Sequence, residues 1–261
     1  MLNRRAFMTI SGMAGVASLS DLAGSGSAEA ADARDYYELR TYHIDTEEQK
    51  NGLERFMGDA AIPALNRIGI SPVGVFEPPD GIGPIYVLLR HRSLESVVTA
   101  TQQLLADDEF LRKSASFLDA PASSPPYAHI ESSLMVAFTG MPHLETPAKS
   151  ESRVFQLRTY ESPTIKAGQK KIEMFNTAEL DIFRKTGLTA VFFGETLIGA
   201  NMPNLTYMLG FETMAEQQAA WKRFGADPEW RKLRAIPEYA NEKIIRGITN
   251  VSLKPAACSQ I

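Results

Sequence analysis

The pattern of apolar and polar positions is written twice along this chain. Tyr37-Glu38-Leu39-Arg40-Thr41-Tyr42 alternates as a strand does, and Phe155-Gln156-Leu157-Arg158-Thr159-Tyr160 repeats it with four of six residues identical. A loop and an amphipathic helix follow each strand. In the first copy Leu53, Phe56, Ala60, Ala64 and Ile68 recur at three- and four-residue steps. In the second, Ile172, Phe175, Ile182 and Phe183 do so, with one polar break at Glu179. Both helices end on a glycine after a basic residue, Arg67-Ile68-Gly69 and Lys185-Thr186-Gly187, which predicts a left-handed C-terminal turn. Pro63, inside the first helix, predicts a kink.

The order stays parallel afterwards. Short apolar runs, Val73 to Phe76 and Ala190 to Phe193, predict second strands; Ile85 to Leu89 and Leu205 to Leu209 predict third ones. Ser93 and Thr213 stand where helix N-caps belong, and Thr213 with Glu216 forms a capping box. Each copy then carries an Ala-Asp-x-Glu-aromatic run, Ala106 to Phe110 and Ala226 to Trp230, in which the aspartate caps a further helix. Last strands are expected at Ile130 to Phe138 and Arg246 to Leu253. Each copy reads β-α-β-β-α-β, the ferredoxin-like order of an α+β fold. The copies span residues 36–138 and 153–255, and the proline-containing segment 139–152 joins them. One apolar edge strand per copy invites further pairing, so a homo-oligomer is a candidate state.

Composition narrows the partners. A net charge of −4 with no strongly basic stretch argues against nucleic acid, which needs a concentrated positive face. Cys258 is the only cysteine, so there is no internal disulfide and no cysteine cluster for zinc or iron–sulfur chemistry. Residues 1–30 read as an address. Arg4-Arg5 followed by Phe7 resembles a twin-arginine export signal, the stretch from Met8 to Leu22 is too short and polar for stable membrane insertion, and Ala28-Glu29-Ala30 suits cleavage. The expected location is the periplasm or outside the cell.

The strand Glu38-Leu39-Arg40-Thr41-Tyr42-His43 and its echo, the glycine-ended helix and the late Asp-x-Glu-aromatic helix together resemble the NIPSNAP family over about 100 residues in each copy. The resemblance implies two tandem ferredoxin-like βαββαβ units forming an intrachain dimeric α/β-barrel, related in fold to small monooxygenases. It brings no agreed catalytic motif. In the second copy Gln156 replaces Glu38 and Glu161 replaces His43, so a site using those groups is not duplicated.

Successive strand residues point to opposite faces. With Leu39 and Leu157 assigned to the helix side, Glu38, Arg40, Tyr42, Arg158 and Tyr160 would line the cavity inside the barrel. An arginine beside a tyrosine holds a carboxylate, enolate or phenolate, because the guanidinium stays charged and the phenol donates a further bond. The alternative is that the arginines pair with an acid and seal the interior, Glu38 being the obvious partner. His43 is a weak candidate for a catalytic base. His91, His129 and His143 share no metal-ligand spacing with it, so no metal is expected, and no phosphate loop or zinc motif calls for a cofactor. Trp221 and Trp230 read as core or interface aromatics. The leading expectation is a binder of a small, largely apolar molecule with an anionic or polar head. A cofactor-independent monooxygenase or isomerase and a protein–protein assembly module are the alternatives.

Overall fold

The computed structural model describes residues 34–148 and 152–261. The export signal read at 1–30 lies outside them. Among the described residues no helix is long and apolar enough to cross a membrane.

The first copy runs β1 (Tyr36–His43), α1 (Glu47–Phe56), a π-turn (Met57–Ala61), α2 (Ile62–Arg67), β2 (Val73–Glu77), β3 (Ile85–His91), α3 (Leu94–Leu105), α4 (Asp108–Leu118) and β4 (His129–Ala137). The second runs β5 (Val154–Glu161), α5 (Ile165–Met174), a π-turn (Phe175–Glu179), α6 (Leu180–Thr186), β6 (Thr189–Ile198), β7 (Asn204–Phe211), α7 (Met214–Ala226), α8 (Pro228–Arg234), α9 (Asn241–Ile244) and β8 (Gly247–Pro255). The strands close into one antiparallel barrel in the order β1-β3-β2-β8-β5-β7-β6-β4. Within each copy the repeated strand is one of the two central ones, β1 beside β3 and β5 beside β7. Between copies β2 pairs with β8 and β4 with β6, so the edge strands expected to seek outside partners pair with each other.

The caps follow the sequence. Thr46, Ser93, Asp107, Thr164, Thr213 and Asp227 each accept a backbone N–H at a helix start. The capping box is half made: Thr213 Oγ1 accepts from the Glu216 N–H at 3.1 Å, but the Glu216 carboxylate turns to Arg223 instead. Gly69 and Gly187 take φ of 81° and 83°, the left-handed turn that ends each helix. Two separate motifs meet here. Lys185, just before Gly187, lies 2.8 Å from Asp227 and 2.9 Å from Glu229, and Arg67 pairs likewise with Asp107 and Glu109. The Asp-x-Glu run thus clamps the basic end of the first helix in both copies.

The irregularity expected from Pro63 has a different origin. Both copies carry a π-turn at the same place, Met57–Ala61 and Phe175–Glu179, and the second contains no proline. Pro63 comes just after the π-turn, at the start of α2. The extra residue belongs to the duplicated architecture.

Three apolar clusters fill the molecule. Leu53, Met57, Leu65, Val75, Val87 and Phe110 pack sheet against helices in the first copy, and Met174, Phe183, Phe193, Tyr207 and Phe224 do so in the second. The third draws Tyr37, Phe76, Leu88, Met135, Leu157, Phe192, Met208 and Leu253 from all eight strands, with no helix residue, and fills the barrel lumen.

Candidate functional site

The lumen cluster decides which way the repeated strand faces. Leu157 belongs to it and Leu39 packs against it, whereas Tyr42 and Tyr160 belong to the two sheet–helix clusters. The assignment made from sequence is therefore inverted. Glu38, Arg40, Tyr42, Arg158 and Tyr160 lie between sheet and helices, and the middle of the lumen is a packed apolar core. The physical reason is that both faces of a closed barrel are buried, so Leu39 and Leu157 have no need of the helices. The middle of the lumen is filled by apolar side chains, and an arginine there would lose its hydration. The helix layer leaves part of the sheet open: Ile130, Ser132, Ile248 and Asn250, on the strands beside β1 and β5, are exposed. A polar side chain on that face keeps a path to water.

The two copies use this position differently. In the first, the Arg40 guanidinium grips the Glu38 carboxylate with two bonds, Nε–Oε1 2.7 Å and Nη2–Oε2 2.9 Å. Ser132 donates to the same carboxylate at 2.9 Å, and the buried His91 ring stands 3.7 Å away. Burial pushes the Glu38 pKa up, but His91, Arg40 and Ser132 outweigh it and hold it at about 2. His91 is oriented by Ser96, 3.0 Å from Nδ1. Tyr42 stacks edge-on against Tyr127, and burial raises its pKa. This is a neutralised pair with the partner the sealing alternative named, but it lies on the helix side and not in the barrel interior that the alternative had it seal.

In the second copy Gln156 cannot neutralise Arg158 and instead accepts from the Trp221 indole N–H at 2.7 Å. Arg158 lies over Trp221, 4.7 Å from the ring centre, and over Tyr160 at 5.4 Å. Its Nη2 donates to Tyr160 Oη at 3.1 Å, and Tyr160 Oη lies 3.0 Å from Tyr207 Oη. Among the described residues its Nε is buried without a partner. Behind this chain, Lys171 and Glu179 form a buried ion pair at 2.6 Å. Burial raises the Glu179 pKa, against the pull of Lys171 and Arg158, and burial with Tyr160 nearby raises that of Tyr207 well above its usual value. The half-buried cation of Arg158 thus has aromatic walls and no acid bonded to it.

Three of these groups escaped the sequence reading. Trp221 is more than a core aromatic, because it flanks Arg158; Glu179 was visible only as a polar break in an apolar stripe, and Lys171 lay outside the stripe. His43 stands apart from the arginines, at the end of β1 on the lumen side, stacked on His129.

Residues 155–260 match the model of the NIPSNAP family. The match covers the second copy, which is thus similar to the NIPSNAP family. The whole barrel is similar in fold to solved structures of low sequence identity. One, from Lactobacillus acidophilus, is described as a candidate monooxygenase: 13% identical, TM-score 0.54, covering 85% of this chain and 94% of that one. Another so described, from Fusobacterium nucleatum, is 7% identical with TM-score 0.55 and coverage of 85% and 93%. An anthrone oxidase-like protein is 10% identical with TM-score 0.52 and coverage of 85% and 92%. At these identities the likeness is one of fold. No curated protein matches the chain.

Proposed function

We propose that this protein binds a small, largely apolar anion on the helix side of its second sheet, with the anionic head at Arg158. The observation that carries the reading is the contrast between the two repeated arginines. Arg40 is tied bidentately to Glu38, while Arg158 has a buried Nε without a partner and stacks on Trp221. A carboxylate or phenolate at Arg158 would gain charge-assisted hydrogen bonds, and an aromatic body would meet the Trp221 and Tyr160 faces.

The test uses 1-naphthoate and 1-naphthol as probes, followed by tryptophan fluorescence and calorimetry. Binding is expected to disappear in Arg158→Gln and to persist in Arg40→Gln. Equal binding by wild type and Arg158→Gln, or no binding of any aromatic anion together with a clean unliganded native mass, overturns the reading.

A second reading, a cofactor-independent oxygenase acting on an enolate or phenolate, is favoured by the Arg158–Tyr160–Tyr207 hydrogen-bond chain and by fold relatives described as monooxygenases. Oxygen uptake with an activated phenol, lost in Tyr160→Phe, separates it from simple binding. The Arg4-Arg5 pair read as an export signal supports a location outside the cytoplasm for either activity, which cell fractionation checks.

A further inference from the structure

Sheet pairing assembles a second group of functional side chains far from Arg158. His43, the last residue of β1, lies directly opposite His129, the first of β4, and Glu131 follows two residues later on the same face. The His43 and His129 Nε2 atoms stand 3.6 and 3.8 Å from Glu131 Oε1, and one donor atom from each residue lies within 4.8 Å of the other two. We infer that His43, His129 and Glu131 form a binding site for a late first-row divalent cation of the zinc type.

The donor set fits that chemistry. Two imidazoles and one carboxylate are borderline ligands that suit zinc and its neighbours, and three protein ligands leave a coordination position open. Among the described residues His43 Nε2 is buried and without a hydrogen-bond partner, 3.6 Å from the Glu131 carboxylate being beyond hydrogen-bonding range, so this nitrogen is left uncommitted beside the carboxylate. Ligand atoms on one tetrahedral zinc are about 3.3 Å apart, so the three donors need to close by only a fraction of their present separations. The two rings are now stacked, 4.0 Å between centres and 11° between planes, and a shared ion needs one of them to turn. His129, with 59% of its side chain exposed, is free to do so.

The group is particular to the first copy. The corresponding pair in the second copy is Glu161 opposite Gly247, with Thr249 where Glu131 stands, so two of the three donors are missing. The cluster therefore does not follow from the repeated strand motif. The earlier expectation of no metal rested on spacing along the chain, and cross-strand register is a proximity that spacing does not express.

The probe is Zn²⁺ titrated by calorimetry into the full, untagged chain in a non-chelating buffer, with Co²⁺ absorption reporting the ligand field. One equivalent is expected to bind with Kd tighter than about 10 µM. His43→Ala, His129→Ala and Glu131→Gln are each expected to weaken binding by more than the ~10–100-fold typical of losing an outer-shell partner. His143→Ala, at the opposite end of the sheet beside Asp35, should bind as wild type does. Weaker binding by wild type, or binding that survives His43→Ala, overturns the site. If a variant fails to fold, Zn²⁺-dependent shifts of the His43 and His129 ring protons in the wild-type NMR spectrum decide instead, and unshifted rings overturn it equally.

Discussion

Lys171 donates to Glu179 across 2.6 Å inside the second sheet–helix layer, with side chains only 2% and 3% exposed. The ammonium also lies 4.3 Å from the centre of the Phe175 ring. The π-turns align the two copies and place Leu53 and Ala61 at the matching positions of the first, so one copy solves with apolar packing what the other solves with an ion pair. Breaking a buried pair strands a charge, whereas replacing both partners does not. Lys171→Met should cost about 3–5 kcal/mol. The double change Lys171→Leu with Glu179→Ala, which copies the first unit, should recover most of that loss. Urea unfolding measures both, and a double variant no better than the single one would show that the pair's value lies elsewhere.

Glu38 makes the acid limb of stability. Its pKa is about 2 in the folded chain against an ordinary 4.5, so its contribution is fully present above pH 4.5 and lost as pH falls towards 2. The shift corresponds to about 3 kcal/mol. Glu38→Gln, the residue that the second copy already uses, should flatten the stability profile between pH 5 and pH 2. An unchanged acid slope would mean that Glu38 is not the group responsible.

The two left-handed glycines should respond unequally. An alanine at Gly69 meets open space and pays only for the backbone, about 1–2 kcal/mol. At Gly187 the added methyl would also sit 2.6 Å from Arg223 Nη2 and displace that arginine from Glu216 and the Thr186 carbonyl. Thermal melts should therefore rank Gly187→Ala below Gly69→Ala.

The clamp at Asp227 has two parts that substitutions can separate. Asp227 Oδ1 caps α8, accepting from Glu229 and Trp230 N–H at 2.8 and 3.1 Å, while Oδ2 meets Lys185. Asp227→Asn keeps the cap and loses the ion pair, and a pair whose lysine is exposed to solvent is worth little. Melts should place Asp227→Asn close to wild type and Asp227→Ala well below it; equal losses would make the ion pair the dominant part.

Much of this architecture is legible in the residues. The doubled hexapeptide, the glycine stops and the aspartate caps are local signals, because each depends on a few neighbouring residues and on backbone geometry. They fix the element order of both copies and place the caps where the structure has them.

What the order of residues leaves open is whatever depends on a partner from elsewhere in the chain. Alternation in β1 and β5 separates Leu39 from Arg40 and Leu157 from Arg158, but it does not say which set faces the lumen, since closing the barrel buries both sides. Glu179 reads as an interruption until the fold brings Lys171 to it, and His43 reads as a solitary histidine until the register sets His129 opposite. The sequence by itself determined the repeated unit, its strands, helices and caps, and the arginine in each copy. The tertiary structure alone decided the inward face, the neutralisation of Arg40 but not Arg158, and the meeting of His43 with His129 and Glu131. Local signals act through adjacent backbone, whereas faces and clusters are set by which distant side chains compete for the same buried space.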